Sequence, residues 1–158
     1  MDWGTLVGTA LGAVLGIGST LAVDRARARR ESDIRGEQLR RQVYGEYLVA
    51  LSRTRSLLRD IAHDVREPPE ERARRARDSV REGGAYELRH QLRLCAPTEV
   101  LTLVDQVHAA LRELREQVLN GAVSQDGPYR AARATYETAA AALREAMRRD
   151  LEVAPDRS

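Results

Sequence analysis

The sequence contains no lysine and no phenylalanine, and its 158 residues include one cysteine, one tryptophan and two methionines. Without lysine there is no Schiff-base nucleophile, no phosphate-loop lysine and no serine–lysine dyad. All 26 basic residues are arginine, a bias that matches a GC-rich coding sequence. The lone Cys95 excludes an internal disulfide framework and fits a reducing compartment. Charge of one sign is also scarce as a block. The 26 basic residues are mostly interleaved with 24 acidic ones, so the clustering that marks a nucleic-acid footprint is missing and no nucleic-acid partner is expected.

What the chain does have is an abrupt opening. Trp3 to Val23 is a run of 21 residues without a charge, followed by Arg25, Arg27, Arg29 and Arg30. At the rise of an α-helix the run extends roughly 32 Å, enough to cross a hydrocarbon core. Residues 1–23 therefore read as a transmembrane anchor, although five glycines and three threonines dilute its hydrophobicity. A secretory signal peptide is the rival, but it needs positive charge before the apolar run, where only Met1 and Asp2 stand. An interfacial segment is the other alternative. By the positive-inside rule the four arginines hold their flank in the cytoplasm. The expectation is a single-pass protein of the cell membrane with its amino end outside and its carboxyl-terminal domain cytoplasmic.

Within this run Gly4, Gly8, Gly12 and Gly16 recur every fourth residue and share one helix stripe, which Thr20 continues. Small residues in such a row allow a second helix to approach closely in lipid. The row thus marks a membrane-helix interface, for self-association or for another membrane protein; glycine's ordinary frequency in membrane helices is the plainer explanation.

Beyond the anchor, apolar residues recur at spacings of three and four, the pattern of amphipathic helices. Four segments emerge. The first carries Val43, Tyr47, Ala50, Thr54, Leu58, Ile61 and Val65 before Pro68 and Pro69. The second, about residues 70–95, carries Ala73, Ala76, Val80, Leu88, Leu92 and Cys95, with Gly83 and Gly84 as a point of kinking or breakage. The third opens at Pro97 and Thr98, carries Val100, Val104, Val107, Leu111, Leu114 and Val118, and closes at Asn120 and Gly121. The fourth begins near Asp126 and carries Tyr129, Ala132, Tyr136, Ala139, Leu143, Met147 and Leu151. No segment alternates apolar and polar residues as a strand does. The fold class is all-α, and helices of similar length with short links predict an antiparallel four-helix bundle over 43–151, with 152–158 a disordered tail.

Residues 24–42 have no continuous apolar stripe and read as a charged helical stalk, weakly supported by pairs such as Glu31 with Arg35 and Glu37 with Arg41. Their first arginines also suit contact with anionic lipid headgroups.

Enzymatic readings find little purchase. Three helices carry a carboxylate three residues before a histidine: Asp60 and His63, Glu87 and His90, Asp105 and His108. Metal-binding bundles turn such pairs inward. At 100° per residue, however, His63 and His90 lie about 170° from their core stripes. Only His108 borders its stripe, where a lone histidine is expected to be satisfied structurally. Cys95 on an apolar stripe is expected to act as a small buried hydrophobe. Tyr44, Tyr47, Tyr86, Tyr129 and Tyr136 could stack on bases, but three of them fall on core spacing. No catalytic residue, metal or cofactor is expected.

The glycine-rich anchor, "RRQVYGEYLVAL" in the first bundle helix, the "LCAPTEV" junction and the closing "YETAAAALREAMRRDLEV" together resemble small, amino-terminally anchored helical proteins of GC-rich actinobacteria. The resemblance implies a bacterial membrane protein and brings no catalytic residues with it. The functional expectation is an interaction or scaffold module at the cytoplasmic face, acting through an unidentified protein partner. The alternatives are a glycine-row oligomer that perturbs or permeates the bilayer, and, third, an enzyme with a bundle-core site.

Overall fold

A computed structural model describes residues 34–153, and all the regular structure among them is helical. The chain divides into two units, Met1–Gln38 and Leu39–Ser158. Of the first, residues 34–38 are described and are helical. The anchor segment lies outside the described residues, among which no helix is long and apolar enough to cross a membrane.

Helix α1 covers residues 34–63. Val43, Tyr47, Ala50, Thr54, Leu58 and Ile61 are buried as their spacing requires, and so are Tyr44, Leu51 and Ala62 on a second flank. The wider stripe has a physical cause, since α1 meets two neighbours. Tyr44 donates to Asp150 Oδ2 at 2.8 Å near the end of the last helix, and Tyr136 donates to the Leu51 carbonyl at 3.3 Å. Thr54 instead faces Gly83 of the next segment. Val65, placed on the stripe by periodicity, is exposed, because α1 stops two residues earlier, ahead of Pro68 and Pro69. A proline disfavours helical backbone in the residue before it, and here two follow in succession.

The expected second helix is two helices, α2 Pro69–Gly83 and α3 Ala85–Cys95. Pro69 stands at the first helical position, where its missing N–H costs nothing, and Glu70 and Glu71 complement the amino-terminal dipole. Gly84 ends α2 with φ of 74°, a left-handed conformation that a side chain would strain. The buried face of α2 also differs from the one periodicity suggested. Arg72, Ala76, Ser79 and Gly83 are inside, whereas Ala73 and Val80 are only partly buried. Small size decides this face. A Cβ at Gly83 would overlap Thr54 Oγ1 and come within 2.7 Å of Thr54 Cβ, so α1 and α2 approach more closely than a valine row allows.

Helix α4, Thr98–Leu119, buries Val100, Val104, Val107, Leu111, Leu114 and Val118. Asn120 caps it, and Gly121 follows at φ of 88°. Helix α5, Gly127–Val153, buries Tyr129, Ala132, Tyr136, Leu143 and Met147, with Ala139 and Leu151 partly covered. Among α2 to α5 the most extensive contact is between α4 and α5. Glu99 at the start of α4 pairs with Arg149 late in α5 at 3.0 Å, and Arg89 of α3 pairs with Asp105 of α4 at 2.6 Å. One continuous apolar core draws on all five helices, which gives the unit the character of a helical bundle.

Candidate functional site

The glycine row of Gly4, Gly8, Gly12 and Gly16 and the flanking Arg25, Arg27, Arg29 and Arg30 lie outside the described residues. Within them, the three histidine motifs separate as helical geometry dictates. His63 and His90 are exposed, and His63 Nδ1 donates to the Arg59 carbonyl at 2.8 Å. Among the described residues no group of histidine, cysteine and carboxylate side chains is arranged to hold a metal ion.

His108 alone turns inward, and only 2% of its surface is exposed. Its ring lies edge-on to Tyr86 of α3 at 4.6 Å between centroids and tilted against Tyr47 of α1 at 5.9 Å. Contrary to the expectation of a structurally satisfied histidine, neither Nδ1 nor Nε2 has a hydrogen-bond partner. The hydroxyl of Tyr47, fully buried, also lacks one. Two neighbouring core rings therefore carry polar atoms that the protein leaves unanswered, which is costly in a low-dielectric interior.

Electrostatics follow from that burial. Desolvation, reinforced by the positive charges of Arg89 and Arg112 and opposed by Asp105, depresses the His108 pKa to about 4, so the ring is neutral near pH 7. Desolvation likewise pushes the Tyr47 phenol well above its ordinary range. Tyr44 moves the same way by burial and by its hydrogen bond to Asp150, so neither phenol supplies a base. Cys95 is a correction to the sequence reading, being half-exposed rather than buried, with Sγ directed to the Gln91 carbonyl at 3.6 Å. Partial burial still raises its pKa, which keeps the thiol protonated and weakly nucleophilic.

A second buried polar group went unread in the sequence. Arg72 is 7% exposed, yet Nε and Nη1 have no partner, and Nη2 alone donates to the Gly121 carbonyl, at 3.3 Å. Periodicity contained the signal, because Arg72, Ala76, Ser79 and Gly83 follow helical spacing as regularly as the valine-bearing row. Hydrophobicity pointed to the wrong row.

On the surface, an open groove of about 510 Å³ runs between α4 and α5, floored by Leu103 and Ala142 and rimmed by Glu99, Glu145 and Arg149. Much of the remaining surface is laced by arginine–carboxylate pairs. Arg55 and Arg133 share Glu137, and these hydrogen bonds, Arg133 first, hold its carboxyl below the usual range. Exposed pairs of this sort contribute little to stability.

No protein-family model matches the chain, and neither the curated proteins nor the solved structures contain a significant match to it.

Proposed function

We propose that this protein is a single-pass membrane-anchored helical module that binds a protein partner at the cytoplasmic face of the cell membrane. In this reading residues 1–23 are the anchor, 24–42 a charged helical stalk and 43–151 an antiparallel four-helix bundle whose second helix is broken at Gly84. The observation that carries it is the uncharged run of 21 residues followed by four arginines within six positions. The bundle contributes support of another kind. Most of its apolar stripe positions close on its own core, and among the described residues its interior holds neutral His108 and protonated Tyr47 and Tyr44. Binding and assembly suit such an interior better than turnover.

A reporter fused after Ser158 tests the topology, with cytoplasmic signal expected. A periplasmic or extracellular signal would reject the orientation. Removing residues 1–23 should abolish membrane location and preserve partner binding.

The glycine row favours a second reading, in which the anchors associate and act on the bilayer itself. Gly8→Leu and Gly12→Leu should weaken association in a membrane-helix assay at matched membrane levels. Gly18→Leu, about 200° around the helix from Gly16, should not. Equal behaviour of the three variants would remove this reading.

A further inference from the structure

Arg72 is the one arginine among the described residues that is buried as a whole, and it has no carboxylate partner. Its neighbours on α2 are treated differently. Arg74 pairs with Glu71, and Arg75 pairs with Glu67 at 2.6 Å and approaches Asp64 at 3.8 Å, although both arginines are far more exposed. The local acids are thus spent on cations that water already solvates, while the sealed guanidinium keeps only one hydrogen bond, to a neutral carbonyl. Burying an unpaired charge costs several kcal/mol, so the arrangement calls for a source of negative charge.

Part of it comes from the backbone. The Gly121 carbonyl lies just beyond the carboxyl end of α4, whose last turn carries no basic residue, and Arg72 supplies the missing cation from a neighbouring helix. A helix terminus offers only about half an elementary charge. It also engages Nη2 alone, and leaves Nε–H and both Nη1 protons unused.

Through Nη2, Arg72 reaches Gly121 in the 120–126 connection between α4 and α5. That connection is tied to the end of α1 by the Ser124 N–H on the Ala62 carbonyl at 3.0 Å. Its other amides, that of Gln125 excepted, are committed. Gly121 N–H donates to the Val118 carbonyl, Ala122 N–H to the Gln117 carbonyl, and Val123 N–H to Asp126 Oδ2. An anion here therefore depends chiefly on the guanidinium, with Gln125 N–H the one uncommitted backbone donor of the connection. The planar fork of arginine matches a carboxylate or phosphate group.

We propose that Arg72 forms a binding site for a small oxyanion, of carboxylate or phosphate chemistry, at the 120–126 connection. The unpartnered nitrogens Nε and Nη1 are closed to solvent, so the ligand enters as the connection lifts and holds it down once seated. Binding and the packing of this end of the unit are thereby coupled. This site is independent of the membrane reading.

The test uses the purified full chain. Thermal melting followed by circular dichroism is titrated in three arms, sodium phosphate, sodium acetate and sodium chloride, at matched ionic strength. A saturable rise in Tm with phosphate or acetate and none with chloride is expected, and the active arm identifies the oxyanion. Arg72→Gln should weaken the apparent affinity at least about tenfold, as loss of a charge-assisted hydrogen bond does. Arg130→Gln, at an exposed position in the first turn of α5, should retain it. Arg72→Lys, which keeps the charge and loses the fork, serves if the glutamine variant fails to fold. Hydrogen exchange on the unaltered protein adds a readout that needs no variant, with slowing by the oxyanion expected at residues 120–126 and the start of α2. The proposal is overturned by the absence of a saturable shift, by an equal shift in Arg72→Gln, by equal loss in Arg130→Gln, or by protection located elsewhere.

Discussion

Replacing His108 with leucine separates two consequences of its burial. The side chain is 2% exposed between Tyr47 and Tyr86, and both ring nitrogens lack partners. In the unfolded chain the imidazole titrates near 6.5, and in the fold its pKa is lowered to about 4. Because the folded value is depressed, the unfolded state takes up the proton first. Stability is therefore intact above about pH 6.5, falls as pH drops through the interval, and has lost the whole contribution below about pH 4. The size of the loss is roughly 3 kcal/mol, a large share of the 5–15 kcal/mol typical of a domain. Urea unfolding at several pH values between 7 and 4.5, extrapolated linearly, measures it. Every other ionisable side chain is common to the two proteins, so the difference between the two curves isolates His108. His108→Leu should be at least as stable at pH 7, since leucine of similar volume leaves no unanswered nitrogens, and between pH 7 and 4.5 it should lose about 2 kcal/mol less. Parallel curves for the two proteins would refute the burial argument, and a large loss for the leucine variant at pH 7 would refute the claim that the nitrogens are unpaired.

Other substitutions probe the packing, each by the same urea titration. Gly83→Ala places a methyl group on Thr54 Oγ1 and should cost about 1–3 kcal/mol by overpacking, with Thr54→Ala in the same chain recovering part of the loss. An alanine at Gly83 without effect would mean that α1 and α2 are not in close contact there. Leu58→Ala and Leu111→Ala should each cost about 2–5 kcal/mol because both side chains are buried in the core, whereas exposed Arg112→Ala should change stability by less than about 0.5 kcal/mol. Equal effects at the three positions would contradict the assigned core faces.

The helices were legible in the sequence where a long amphipathic segment had no interruption. In α4 every apolar position from Val100 to Val118 on the expected stripe is buried, and in α5 the stripe from Tyr129 to Met147 is covered along its length. At 22 and 27 residues these helices bury enough apolar surface to orient themselves. The prolines and glycines marked the boundaries equally well, because Pro68, Pro69, Gly84, Pro97 and Gly121 act through their own backbone chemistry and need no neighbour. The uncharged run 3–23, the glycine row and the arginine flank belong to the sequence alone.

Tertiary contact decided what a single helix could not. The face of α2 was chosen by its partner, because only the row of Ala76, Ser79 and Gly83 lets α1 approach as closely as Thr54 does, and the more hydrophobic Val80 was turned partly outward. Arg72 was carried inside with that row. Tyr44, Leu51 and Ala62 became core residues because α1 is packed on more than one side. Whether His108 and Arg72 find partners depends on groups distant in sequence, and periodicity describes only the direction in which a side chain leaves its own helix.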